Sequence, residues 1–504
     1  VLDMEVTVST IAETGVLIIG GGILGTAVAR ELSRYKVDSI LVEKKPDIGW
    51  DSTKANLTIV CQGADCLEFR KEYQRSKYVW ESIPMMEPLC RELDVPFKRI
   101  GELGIMKNNA DLAKFQKKKS RAEQWVPNIA NHQFIDRDTL RQWEPNVTKE
   151  AIGALYDPTI AITDPVRLAM ALAENASQNG TRLMMETEVL DITPKVEAFE
   201  VQTNQGVIKA RFIVNAAGEY VDRVARMVNA DDFIVFPFRG YVGILDKKLG
   251  GLVNHMVYAQ PPEPGQINAL VQTVHGNVFF GTPMKIAKRA DHSVERDLAE
   301  TAFQNAHDIV PEISQRDIIN SFAGFVMFRN VEVGWHECVV RASDTVPGFI
   351  NLSIGYPGVS ASPAAAKEVI RLLSQEGLAL VEKEDFNPYR KAIVDFSELP
   401  DEEKQRLVKE NPQYGHVVCR CETVTEGEIV EAIKRGASTL DGVKFRTRPG
   451  MGRCQGGFCT PRVSKILSRE LGVPEEQVTK KGDNSRNLLF RSKELIKERD
   501  GFKG

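Results

Sequence analysis

Val16-Leu-Ile-Ile-Gly-Gly-Gly-Ile-Leu-Gly25 is the stretch on which the fold turns. Its apolar start, Val16–Ile19, reads as a buried parallel strand. Gly20, Gly22 and Gly25 follow in the G-x-G-x-x-G order, with Ile23 and Leu24 inside the same turn. A helix is predicted from about Gly22 to Arg34, and a second strand over Val37–Val42 that ends on Glu43 and Lys44. Each piece has a physical task. Gly20 permits the tight turn, Gly22 lets a pyrophosphate approach the backbone, and Gly25 lets helix and strand pack closely. The helix N-terminus offers unpaired N–H groups to phosphate, and Glu43 is placed to accept from a ribose 2′-OH. Strand, glycines, helix, second strand and acid in this order point to a dinucleotide site.

The 504 residues suffice for two or three domains with a large core. Hydrophobic residues are 42% and charged residues 27%, ordinary for a globular chain. A net charge of −4 gives no pull toward nucleic acid. The run Lys117–Lys119 reads as a solvated helix face. No apolar run reaches membrane-span length, and no secretory leader is visible, so a cytoplasmic protein is expected.

Val6 and Val8 alternate as in a strand. Trp50–Asn56 is a polar turn in which Ser52, Thr53 and Asn56 are candidates for contacting phosphate or flavin, against plain turn chemistry. Helices are predicted over 66–83 and 110–125, with Trp80 and Ile83 in the core and a break at Pro84 and Pro88. Gly101–Met106 reads as a strand of a second sheet, and Asp136–Pro145 as a short helix. Asp164-Pro165 opens a helix through Ala176, with the aspartate as cap. Strands follow over Glu186–Thr193, which holds Val189, and Phe199–Thr203. Phe212–Gly218 is a buried strand that runs into Ala217 and Gly218. Phe236–Leu245 and Ala269–Gly281 suggest substrate-side strands. Phe349–Pro363 is a further strand–glycine loop–helix unit; Gly355, Gly358, Val359 and Ser360 lie where a helix N-terminus faces the bound group. Residues 391–412 read as a linker, 413–475 as a compact module and 476–504 as a polar tail.

That module carries Cys419-Arg-Cys421 and Cys454-Gln-Gly-Gly-Phe-Cys459. A capping box, Thr425-x-x-Glu428, and a helix over Ile429–Arg435 lie between the pairs. Four thiolates in two tight pairs can hold a [2Fe–2S] cluster or one zinc. The C-x-C spacing favours the cluster, because structural zinc uses wider knuckles. Cys61, Cys66, Cys90 and Cys338 read as buried thiols.

With these motifs in place, residues 15–375 resemble the FAD-dependent dehydrogenases of the D-amino-acid oxidase superfamily. The likeness is strongest to anaerobic glycerol-3-phosphate dehydrogenase catalytic subunits and L-2-hydroxyglutarate dehydrogenases. It rests on Gly20–Gly25 with Glu43, Trp143-Glu-Pro-Asn146, Ala154–Pro158, Asn215-Ala-Ala-Gly218, His275-Gly-Asn277, Gly281 and Tyr356-Pro-Gly358. Residues 413–475 resemble the bacterioferritin-associated ferredoxin-like domain. The resemblance implies an α/β chain. A Rossmann-like FAD-binding domain (about 15–65, 150–225 and 335–380) would interleave with an α+β substrate domain (about 66–149 and 226–334). A small helical iron–sulfur domain would follow. It also implies FAD rather than nicotinamide, a small polar substrate, and electron export through a [2Fe–2S] cluster. The acceptor would be a partner subunit: a flavoprotein, an iron–sulfur protein or a quinone-linked reductase at the membrane.

Two departures bear on the substrate. The family often has a histidine where this chain has Cys61. It often places a substrate-binding arginine two residues after a Phe-Ala-Gly segment; here Phe322-Ala-Gly324 leads to Val326. Arg329 or Arg341 replaces that arginine, or the substrate lacks the usual anion. His275, with His255 behind it, is the expected base for taking the substrate's hydroxyl proton while hydride passes to the flavin. Oxidation of a secondary amine or imino acid, and a scaffold subunit without its own substrate site, are the competing readings.

Overall fold

The computed structural model describes residues 9–61, 73–125, 131–230, 233–259, 268–329 and 338–490. The predicted strand around Val6 and Val8, the start of the 66–83 helix and Cys66 lie outside them. The chain divides into two units, Val1–Lys44 with Ile48–Lys391, and Lys45–Asp47 with Ala392–Gly504.

The opening stretch sits at the centre of the first unit. Strand Thr10–Ile19 runs parallel to Gly206–Asn215 on one side and Ser39–Val42 on the other. Arg182–Met184 extends the sheet beyond Ser39–Val42, and Phe349–Ser353 adds in parallel beside Gly206–Asn215. Val16, Leu17 and Ile18 are fully buried, as a strand covered on both faces requires. Helices Ile23–Leu32, Pro165–Gln178 and Gly358–Gln375 belong with this sheet. Asp164 caps the second of them by accepting the Val166 and Arg167 N–H groups, and Pro165 occupies its first position.

A second sheet of eight strands runs in the order Ile318–Arg329, Val235–Leu245, Val278–Ile286, Asn268–Gln272, Met256–Ala259, Glu102–Met106, Gly153–Asp157, Gln133–Asp136. Chain segments before and after the first sheet's middle strands supply it, so the two layers interleave. Helix Arg296–Ile309 covers one face through Leu298, Ala302, Ala306 and Ile309, which share a core with Tyr241, Leu270 and Phe280.

The break expected at Pro84 and Pro88 does not occur. One helix runs Tyr73–Glu92 through both. Tertiary packing outweighs the lost backbone bonds: Val79, Trp80, Met86, Leu89 and Cys90 are buried along it, Ile83 is half-buried, and the Ser82 Oγ accepts the Ala364 N–H from helix Gly358–Gln375.

The second unit packs helices Glu426–Lys434, Leu440–Thr447 and Thr460–Leu471 around Ile429, Ile433, Val443, Val463 and Leu467. The capping box forms in both directions: Thr425 Oγ1 accepts the Glu428 N–H, and Glu428 Oε2 accepts the Thr425 N–H at 2.7 Å. The stretch read as a linker contains a helix, Asp401–Glu410, whose first turn carries three acids suited to its dipole. Val478, at the head of the expected tail, joins this core. No helix among the described residues is long and apolar enough to cross a membrane.

Candidate active site and cluster site

A cavity of about 850 Å³ opens at the C-terminal end of the opening strand. This is the position expected for a ligand in an open α/β sheet. Gly20, Gly22, Ile23, Leu24, Glu43, Lys44, Ser52, Thr53, Asn56, Val189, Ala217, Gly218, Gly355, Gly358 and Val359 all line it. Gly25 and Ser360 are not on its wall. A Cβ on Gly25 would stand 2.0 Å from the Gly20 carbonyl oxygen, so that glycine serves the close strand–helix contact. Gly20 itself has φ +113, and a Cβ there would meet the Ala216 oxygen at 2.4 Å. Ser360 Oγ accepts the Cys61 N–H at 2.8 Å.

The loop's donors are partly spoken for. Gly21 N–H donates to Glu43 Oε2 at 2.7 Å, and Ile23 N–H donates to Thr53 Oγ1 at 3.0 Å. Glu43 therefore holds the glycine turn to the second strand while its side chain lines the cavity. Lys44 Nζ sits 3.3 Å from the centroid of the Tyr220 ring. Burial raises the Tyr220 hydroxyl above its ordinary pKa. Across the cavity, the N-terminus of helix Gly358–Gln375 approaches with Tyr356, whose hydroxyl is 3.3 Å from Cys61 Sγ. A cavity of this size, lined by the glycine turn and by the start of helix Gly358–Gln375, fits FAD.

The substrate-side wall comes from the second sheet and two helices. Gly240, Val242, Met256 and Tyr258 supply its sheet face, and Arg75, Lys114, Lys117, Lys118 and Arg121 its helical face. The buried Lys118 donates to Glu102 Oε1 at 2.9 Å and to the Tyr258 hydroxyl at 2.7 Å. This corrects the reading of Lys117–Lys119 as a solvated face: Lys118 is 8% exposed and both Lys117 and Lys118 line the cavity. Arg75, buried on the same wall, carried no local signal in the sequence.

The expected bases lie elsewhere. His275 Nε2 is 2.9 Å from Asp164 Oδ2, the carboxylate that caps helix Pro165–Gln178. Burial alone would raise the Asp164 carboxyl, but the bond to His275 and the nearby Arg167 charge outweigh it and hold the group far below the usual range. His255 Nδ1 is 2.8 Å from Glu144 Oε1, with its ring stacked on Trp143. Neither histidine is among the cavity-lining residues. Arg329 ends strand Ile318–Arg329 opposite Val235, and its side chain lies outside the described ones. Arg341 Nη1 is 3.8 Å from Asp344, away from the cavity wall. Of the other thiols, Cys61 and Cys90 are buried and Cys338 half-buried. Burial pushes the Cys90 thiol up to about 12.

In the second unit the four cysteines form two pairs. Cys421 and Cys454 are exposed, with their sulfurs 3.6 Å apart; Cys419 and Cys459 are buried free thiols joined by a hydrogen bond. Two ligands of one tetrahedral ion with ~2.3 Å bonds stand about 3.8 Å apart, close to the 3.6 Å between Cys421 and Cys454. No group of three or more His, Cys, Asp or Glu side chains converges on a single ion among the described residues. Two pairs of thiolates suit a two-iron cluster. Backbone N–H groups turn toward the sulfurs. The hydrogen bond from Cys459, with the N–H groups of Gly450, Glu422 and Cys421, pulls the Cys419 thiol below its ordinary value. The Phe458 and Gly456 N–H groups likewise lower Cys454.

The fold, the dinucleotide cavity and the paired cysteines define a flavin oxidoreductase with an iron–sulfur module. The chain belongs to the FAD dependent oxidoreductase family, whose model matches residues 15–372, and residues 417–469 match the BFD-like [2Fe-2S] binding domain. It is 36% identical to a glycerol 3-phosphate dehydrogenase of Caloramator mitchellensis, over 95% of this chain and 99% of that one. It is 25% identical to the anaerobic glycerol-3-phosphate dehydrogenase subunit A1 of Haloferax volcanii, over 90% and 83% of the two chains. The dithionite-reduced L-alpha-glycerophosphate oxidase of Mycoplasma pneumoniae, solved with FAD bound, superposes with a TM-score of 0.70 at 25% identity, covering 75% of this chain and 99% of that one. The chain is thus an FAD-dependent, glycerol-3-phosphate dehydrogenase-like enzyme with a [2Fe–2S] domain.

Proposed function

We propose that this chain oxidises glycerol 3-phosphate and passes the electrons through its cluster to a partner protein. The observation that carries the reading is a relative named for that activity, 36% identical and matched from end to end through both units. The substrate-side wall supports it. Arg75 puts a buried guanidinium on the cavity wall, suited to a phosphate monoester in a low-dielectric site, while Lys118 there is already paired with Glu102. Bound FAD would accept two electrons from such a substrate, and a bound [2Fe–2S] cluster would carry them one at a time.

The residues of the chain do the remaining work. The Gly20–Gly25 turn and the helix behind it would hold the phosphates of FAD. Arg75 orients the anionic end of the substrate, and Met256 and Tyr258 on the cavity wall help to exclude water. The exposed Cys421 and Cys454 give the cluster an outward edge for a partner. Anaerobic mixing of the FAD-loaded protein with glycerol 3-phosphate, L-2-hydroxyglutarate and L-proline tests the reading. Bleaching of the flavin by the phosphate ester alone is the expected result; bleaching by proline alone would place the chain among amine dehydrogenases. Flavin that none of them bleaches would favour a scaffold subunit.

A further inference from the structure

Helix Asn109–Trp125 presents Lys114, Lys117, Lys118 and Arg121 to the cavity at i, i+3, i+4 and i+7, one continuous helical face. The four are not equivalent. Lys118 is buried and neutralised by Glu102. Lys114 and Lys117 are exposed and Arg121 half-buried, and no carboxylate stands within ion-pair distance of them among the described residues. The acids of the same helix are engaged elsewhere: Asp111 accepts the Lys107 N–H, and Glu123 takes Lys119 Nζ. The cavity wall also carries Asp51, Glu43, Glu188 and Glu219, together with Lys44 and Arg223, so the acids beyond this helix have cations among them.

We infer that Lys114, Lys117 and Arg121 form an entry site for a phosphate dianion at the mouth of the cavity. The inference rests on the glycerol 3-phosphate reading and adds to it the place where the anion is first captured. Successive turns of a helix are ~5.4 Å apart, so the three charges act within about one to two Debye lengths at physiological salt. A funnel of one sign above low-dielectric walls raises the capture rate of an oppositely charged ligand by about 10- to 1,000-fold. Arg75 on the same wall is buried, so the anion moves from exposed cations to a buried one as it enters.

The test uses the full FAD-loaded chain and a triple variant, Lys114→Gln/Lys117→Gln/Arg121→Gln. Stopped-flow reduction by glycerol 3-phosphate is followed from low to high ionic strength, and inorganic phosphate is titrated as a non-reacting anion against the flavin's visible band. In the wild type, kcat/KM should fall as salt rises. In the variant it should start about tenfold lower and vary little with salt, with the limiting rate at saturation unchanged and phosphate binding weakened. Lys117→Glu provides a second variant if the triple one folds poorly, and should show the same loss. A triple variant with the wild-type salt slope and phosphate affinity would overturn the entry site. Failure of glycerol 3-phosphate to reduce even the wild type would instead overturn the substrate reading, while the phosphate titration would still test the cations.

Discussion

Cys421 and Cys454, 33 positions apart in the chain, bring their sulfurs to 3.6 Å at the surface of the second unit. Their buried counterparts, Cys419 and Cys459, make the second pair. Replacing one member of either pair leaves three ligands for two irons. Cys454→Ser should therefore abolish the iron–sulfur absorption and the paramagnetic signal of the reduced cluster, with bound FAD unchanged. Iron and flavin assays on the same sample check it; a variant with full iron content would contradict the pairing.

Thr53 holds the start of the nucleotide-binding helix from outside it, by accepting the Ile23 N–H. Thr53→Val keeps the shape and removes the acceptor. A lost buried hydrogen bond costs about 1 kcal/mol, so FAD should bind roughly five- to tenfold more weakly, read by flavin fluorescence on dilution. Thr53→Ser should restore binding.

The Lys118–Glu102 pair is buried on both sides. Lys118→Met leaves Glu102 without its counter-charge, at a cost of about 3–5 kcal/mol. A markedly lower Tm is the expected outcome, and the double change with Glu102→Gln should recover most of the loss. If the single variant melts with the wild type, the pair contributes little to the fold.

Glu428, 3% exposed inside the second unit, has its carboxyl pushed up to about 7 by burial, although Thr425 bonds oppose the shift. Its folded pKa lies above the unfolded value, so the folded state binds more protons between about pH 4.5 and 7. Stability is then lost as pH rises through that window, by up to about 3 kcal/mol for this group. Glu428→Gln should flatten the dependence, measured by denaturant unfolding of the full chain at several pH values.

The features legible in the sequence were those whose partners lie nearby along it. The Gly20–Gly25 turn, the Asp164-Pro165 helix start and the Thr425/Glu428 box each combine residues within one or two turns, so spacing alone exposes them. The substrate wall was not legible in this way. Lys118 reads as one of three consecutive lysines until strand Glu102–Met106 and Tyr258, 140 positions away, are folded against it. His275 looks like a free base until its ring is seen to bond Asp164, 111 positions earlier. Pro84 and Pro88 break a helix only where packing does not hold it, and that packing comes from helix Gly358–Gln375.

The central claim is that one chain draws electrons from a polyol phosphate and delivers them to its own cluster. The most direct measurement is the electron paramagnetic resonance spectrum of the anaerobic, FAD- and iron-loaded protein after addition of excess glycerol 3-phosphate, enough to supply the three electrons that flavin and cluster together take. The account predicts a bleached flavin together with the signal of a reduced [2Fe–2S] cluster. A bleached flavin beside a cluster that stays oxidised and silent would contradict it.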